Sequence, residues 1–119
     1  MASPRVLIVE DEGLVALLIE DLLTDLGCEV VASCDSIRSA MEWLQRGEAP
    51  PDGALLDVNL GGELVYPVAE FLAAHNIPFA FATGYGALPD SRFSDVPVLA
   101  KPVNQTKLKD VVERFGAAA

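Results

Sequence analysis

Five side chains in this sequence could act together on phosphorus. Glu10 and Asp11 follow the apolar run Arg5–Val9, and Asp57 follows Ala54, Leu55 and Leu56. Thr83 follows residues 79–82, and Lys101, with Pro102 next, follows Val98–Ala100. Each stands where a short apolar segment ends. Three carboxylates brought within a few ångströms of one another cannot all stay ionised without a cation. A hard divalent ion relieves that repulsion, because Mg²⁺ takes a few carboxylates, a carbonyl and waters and also accepts phosphate oxygens. Asp57 can then serve as a nucleophile toward phosphorus and form an acyl phosphate. The ion offsets charge on the equatorial oxygens, Lys101 pairs with one of them, and the Thr83 hydroxyl donates to another. Any one of these residues alone says little, since surface carboxylates are ordinarily solvated and a single threonine is ordinarily structural. The signal is their joint placement.

The elements that must position them can be read from the hydrophobic pattern. Arg5–Val9, rich in β-branched residues, reads as a buried strand ending in an acidic turn. Val15, Leu18, Ile19, Leu22, Leu23 and Leu26 recur at helical spacing, and Gly27 suits a helix C-terminus. Residues 29–32 form a second strand, and Ser36 caps a helix with Ile37, Ala40, Met41 and Leu44 on its inner face, stopped by Gly47, Pro50 and Pro51. Residues 54–56 form a third strand ending on Asp57. A loop with Gly61 and Gly62 leads to a third helix carrying Leu64, Val65, Val68, Ala69 and Leu72, with Pro67 in its first turn, where no N–H is needed. Residues 79–82 form a fourth strand ending on Thr83 and Gly84, and Val98–Ala100 a fifth. The stretch between them has room for about one or two helical turns, so a fourth helix is short or irregular. Asn104 caps a last helix with Leu108, Val111, Val112 and Phe115 inward, and residues 117–119 fray.

Strand and helix thus alternate five times, and the strands are apolar throughout. That pattern predicts an α/β fold with a doubly wound parallel sheet covered on both faces. In such folds ligands bind beyond the carboxyl ends of the strands, where the five chemical residues fall. A chain of 119 residues, 51% hydrophobic, fits one domain, here residues 1–119. Eight Lys and Arg against 18 Asp and Glu leave a formal charge of −10, which repels phosphate backbones and argues against nucleic acid. No apolar run suits membrane insertion and the first residues do not resemble a signal peptide, so a cytoplasmic location is expected. Cys28 and Cys34 have neither CxxC nor metal spacing and read as buried, reduced thiols.

The segments VLIVEDE at 6–12, ALLDVNL at 54–60, FATG at 81–84 and LAKP at 99–102 resemble the receiver domain of two-component response regulators. The resemblance covers essentially the whole chain. It implies a flavodoxin-like five-stranded sheet in the order 2-1-3-4-5 with five helices. Asp57 would be the phosphoacceptor, and Glu10, Asp11, Asp57 and the backbone carbonyl of Asn59 would hold Mg²⁺ or Mn²⁺. Thr83 would be the switch hydroxyl, Lys101 the phosphate-binding lysine, and the Lys101–Pro102 bond cis, as only an X–Pro bond readily allows. Residues 81–85 also resemble the receiver subgroup named for a FATGUY signature, many of whose members are single-domain regulators of α-proteobacteria, although Gly86 stands at the signature's final aromatic position. Two departures bear on mechanism. Most receivers have an aromatic residue three positions before the lysine, where this chain has Val98, and Thr83 and Lys101 lie closer in sequence than usual.

The resemblance implies a receiver that takes its phosphoryl group from a histidine kinase or histidine phosphotransfer protein and catalyses only its own phosphorylation and slow dephosphorylation. Output would then be contact with a downstream protein, which the sequence does not name, or phosphotransfer itself. Without an aromatic at Val98, the change is expected in the backbone from Thr83 to Leu88, which Gly84 and Gly86 make permissive. Tyr85 either shields the acyl phosphate or packs on the surface. A Mg²⁺-dependent aspartyl-phosphate hydrolase of the haloacid dehalogenase type is the competing reading. Those enzymes use an acid two residues after the nucleophile, where this chain has Asn59, which cannot titrate. A degenerate receiver that works without phosphate is disfavoured by the intact set of acids, hydroxyl and amine. His75 reads as a helix-terminal or surface group, Trp43 as packing at a helix edge, and Glu12 either as a contact to the metal through water or as an acid at a helix N-terminus.

Overall fold

The apolar runs assemble into one parallel sheet whose carboxyl edge gathers the polar residues that follow them. The computed structural model describes residues 3–46, 49–84 and 90–118, the last two of these in backbone only. The central strands are β1 (Arg5–Val9), β2 (Glu29–Cys34), β3 (Gly53–Asp57), β6 (Phe79–Thr83) and β7 (Val98–Ala100). Their order is β2-β1-β3-β6-β7, all parallel, which is the predicted 2-1-3-4-5. Helices α1 (Gly13–Asp25), α2 (Ile37–Leu44), α3 (Tyr66–Ala74) and α4 (Gln105–Ala118) cover the faces. Val6, Ile8, Leu55, Ala80 and Leu99 point toward α1 and α4, while Leu7, Val9, Leu56, Phe79 and Phe81 point toward α2 and α3. The period-two alternation of side chains along a strand thus divides one continuous apolar run between two cores.

Local chemistry explains the helix ends. Ser36 and Ser39 form a reciprocal capping box at the start of α2. Asn104 Oδ1 accepts from the amides of Thr106 and Lys107 at the start of α4. Pro67 lies in the first turn of α3, and Gly27, at φ 84°, turns the chain out of α1. His75 ends α3, with Nδ1 2.8 Å from the Phe71 carbonyl and its ring stacked on Phe71, in keeping with the helix-terminal reading.

Several expectations need correction. The helices among the described residues number four, not five. Among the described residues before β7 there is a 3-10 turn, Ser91–Phe93, in keeping with the short or irregular fourth helix expected there. Leu64 belongs not to the third helix but to a small antiparallel hairpin, β4 (Asn59–Leu60) with β5 (Glu63–Leu64). Gly61 and Gly62, at φ 62° and 101°, make its turn. Strand β2 extends to Cys34 because a register shift between Val6 and Leu7 lets it stay paired with β1. Leu18 faces outward instead of inward, since Ala16, Ile19 and Leu23 are the buried residues of α1. Helix α4 continues to Ala118, past the point where fraying is expected. Of the expected switch segment, Thr83 to Leu88, residues 85–88, with Tyr85 and Gly86 among them, lie outside the described residues.

Candidate functional site

Strand ends β1, β3, β6 and β7 bring Glu10, Asp57, Thr83 and Lys101 to one edge of the sheet. Glu10, Asp57 and Thr83 are buried, at 3%, 6% and 5% exposure, and are the buried polar residues among those described. Lys101 sits between the two acids, with Nζ 2.6 Å from Glu10 Oε1 and 3.1 Å from Asp57 Oδ2. The other oxygens are held locally. Asp57 Oδ1 accepts from the Asn59 amide at 3.2 Å, and Glu10 Oε2 accepts from the Glu12 amide at 3.1 Å. The backbone fixes the frame, because Glu10 N donates to Cys34 O and Lys101 N to Thr83 O, each at 2.9 Å. The Lys101–Pro102 peptide bond is cis.

One ammonium among several acids leaves the site electrostatically unbalanced. Burial pushes the Glu10 carboxyl up to about 7, against the opposing pull of Lys101, and the neighbouring Asp57 pushes it further. Burial pulls the Lys101 ammonium down, but Glu10 and Asp57 outweigh it and the net shift is upward. The contact from Lys101 to Glu10 Oε1 is short but poorly directed. It neutralises charge, yet leaves that buried oxygen without a partner of good hydrogen-bond geometry.

Carboxylate oxygens of Glu10, Asp11 and Glu12 lie within 4.8 Å of one another. Asp11 Oδ2 also approaches the hairpin turn, 3.6 Å from the place a Cβ on Gly61 would take. An incompletely satisfied buried oxygen beside clustered hard donors fits a hard divalent cation. Sequence reasoning named Glu10 and Asp11 for this role and left Glu12 between two alternatives. In the structure Glu12 is the N-cap residue of α1, makes no side-chain cap bond, and joins the acidic cluster. Asn59 adjoins Asp57 through its amide, and its side chain accepts from Gly62 N at 2.7 Å, so the hairpin is tied to the strand that ends on Asp57.

A second group of residues escaped the sequence reading. Tyr66 of α3 stacks on Phe93 of the 3-10 turn at 5.7 Å and meets Phe81 edge-on at 6.2 Å. Its hydroxyl accepts from the Asp90 amide at 2.7 Å. Arg92 pairs with Glu70 at 2.8 Å and with Asp90 at 3.3 Å. An aromatic pair contributes about 0.5–1.5 kcal/mol beyond its buried area, and an exposed ion pair roughly 0–1 kcal/mol. No sequence spacing announces this group, because its members come from three separate elements.

The sequence model of the response regulator receiver domain matches residues 6–113, and the chain belongs to that family. Among solved structures it is similar to SdrG from Sphingomonas melonis Fr1, with 44% identity, 97% of this chain and 98% of that chain covered, and a TM-score of 0.85. A response regulator receiver protein from Sinorhizobium medicae WSM419 shares 27% identity over 98% of each chain, with a TM-score of 0.82. The response regulator PhyR from Brucella abortus shares 26% identity over 96% of this chain and 48% of that chain, with a TM-score of 0.75. No curated protein matches the chain. Among the described residues no helix is long and apolar enough to cross a membrane.

Proposed function

We propose that this receiver accepts a phosphoryl group on Asp57, in a Mg²⁺- or Mn²⁺-dependent reaction, from a phosphohistidine of a histidine kinase or phosphotransfer protein in the cytoplasm. The observation that carries the reading is Lys101 seated between Glu10 and Asp57. An Asp57 oxygen forms the new bond to phosphorus as the bond to the donor's imidazole nitrogen breaks, and the electron pair leaves with the imidazole. Lys101 moves from the carboxylate to a phosphoryl oxygen, and the Thr83 hydroxyl donates to another. Glu10, Asp11, Asp57 and the Asn59 carbonyl would hold the metal, which supplies positive charge against the phosphoryl oxygens. The protein catalyses only this self-modification and a slow dephosphorylation by water, because the position two after Asp57 is Asn59, which cannot act as general base. The segment after Thr83 carries the response to a downstream protein or a further phosphotransfer partner.

Helix α1 offers the surface for the donor. Leu14, Leu17 and Leu18 are 85%, 55% and 51% exposed, and they follow directly on the acidic cluster at its N-terminus. A stripe of leucines at spacings of three and four suits the apolar seam of a helical donor. The test uses a radiolabelled phosphohistidine donor with Mg²⁺. Label is expected on the wild type and not on Asp57→Asn. Lys101→Ala slows transfer by about tenfold or more, the loss of one charge-assisted contact. Leu17→Asp is expected to slow transfer from the protein donor while leaving acetyl phosphate labelling unchanged. Labelling of Asp57→Asn at the wild-type rate would overturn the reading.

A further inference from the structure

Aromatic rings close the side of the sheet where the expected fourth helix would lie, and they share a face with Thr83. Phe79, Phe81 and Thr83 alternate along β6, so their side chains project to one face. Phe93 meets Phe79 and Phe81 edge to face at 5.9 and 5.8 Å and stacks on Tyr66. Arg92 lies 5.9 Å from the Tyr66 ring centre and 5.4 Å from that of Phe93. The same guanidinium reaches Glu70 in α3, and the Tyr66 hydroxyl holds the Asp90 amide. The 3-10 turn is therefore fastened to α3 through one shared set of rings. Val98, the half-exposed residue on β7, offers no ring of its own.

We propose that Tyr66, Phe93 and Arg92 form a latch between α3 and the 3-10 turn, closed in the unphosphorylated protein and opened when a phosphoryl group on Asp57 draws Thr83 toward it. The proposal rests on the phosphoacceptor reading above. Thr83 and Phe81 are two residues apart on one strand face, so a displacement of Thr83 shifts the edge of Phe81 against Tyr66 and Phe93. Edge-to-face pairs depend on where the ring edge meets the neighbouring face, and small shifts weaken them. The polar half of the latch is exposed, where ion pairs exchange readily with water. Contacts that are individually weak and share the same rings are lost together, which gives two discrete arrangements. Opening frees the Glu70 and Asp90 carboxylates from Arg92 and bares more of the half-buried Phe93 ring, which changes the charge and the apolar area of this face.

The Asp90 amide reports the latch through hydrogen exchange, followed together with intact mass after treatment with acetyl phosphate and Mg²⁺. In the wild type, exchange at Asp90 is expected to accelerate by at least about tenfold once one phosphoryl group is present. Thr83→Ala, which lacks one donor to the phosphoryl oxygens, gains the group more slowly, and the fraction that carries it by mass is expected to keep Asp90 protected. Tyr66→Phe retains the ring and loses the acceptor, so its Asp90 exchanges rapidly from the outset and does not respond. A wild type that carries the phosphoryl group with Asp90 exchange unchanged within about twofold overturns the latch and leaves the receiver reading standing. Opening in phosphorylated Thr83→Ala, or wild-type protection in Tyr66→Phe, overturns it as well. Absence of any mass gain in the wild type overturns the receiver reading, and the latch loses its trigger with it.

Discussion

Glu10 shows how one buried residue sets the character of the unmodified site. Its carboxyl, at 3% exposure, is pushed up to about 7 mainly by burial. The folded protein therefore holds this proton more tightly than the unfolded chain does. Stability of the metal-free protein is expected to fall as pH rises from the ordinary carboxylate value toward 7, by about 1–3 kcal/mol, and to level off above. Glu10→Gln, which cannot ionise, should flatten that slope and melt higher than the wild type at pH 7.5 in a chelator. Thermal melts across pH check both. An equal slope in the two proteins would show that Glu10 is not the titrating group. The meeting of Glu10, Asp57, Thr83 and Lys101 at one sheet edge was legible in the sequence, because each follows a short apolar run and strand ends converge in a doubly wound sheet. The sharing of Lys101 between Glu10 and Asp57 was not, since nothing in the spacing tells which of several acids an amine will choose.

At the level of elements, Gly53 opens β3 directly beneath Phe115 of α4. A Cβ at Gly53 would overlap the Phe115 ring, closest to its Cγ. Gly53→Ala is expected to destabilise the protein by about 1–3 kcal/mol through overpacking, and chemical denaturation measures it. A midpoint at or above that of the wild type would contradict the packing described. The five strands could be read as unbroken apolar runs, and the helices α1, α2 and α4 from apolar residues recurring at helical spacing. The β4–β5 hairpin could not, having only two residues in each arm, although Gly61 and Gly62 between polar and apolar neighbours were its signal. Leu18 misled because α1 carries leucines on two faces, and helical spacing alone does not say which face meets the sheet. A short element such as Ser91–Phe93 followed from the short connection before β7, but the rings packed around it did not.

Taken whole, the molecule is a receiver whose acidic edge is stabilised by whatever positive charge it can recruit. Mg²⁺ is expected to bind the folded cluster in preference to the unfolded chain, so added Mg²⁺ should raise the melting temperature, by about 2.7 kcal/mol of stability at a hundredfold excess over the dissociation constant. That constant is expected in the millimolar range, because a partly hydrated ion on few carboxylates is held weakly before phosphate arrives. Asp11→Asn should reduce the gain. Identical melting curves with and without Mg²⁺ would argue against a metal site. The net charge of −10 acts at the same scale and opposes contact with phosphate backbones. Chemical modification by a small phosphodonor bears most directly on the central claim, since it needs no partner. After incubation with acetyl phosphate and Mg²⁺, intact mass should show one added phosphoryl group, and reductive trapping followed by peptide mapping should place it on Asp57. A stable single phosphoryl group mapped to another residue, or retained in Asp57→Asn, would contradict the account.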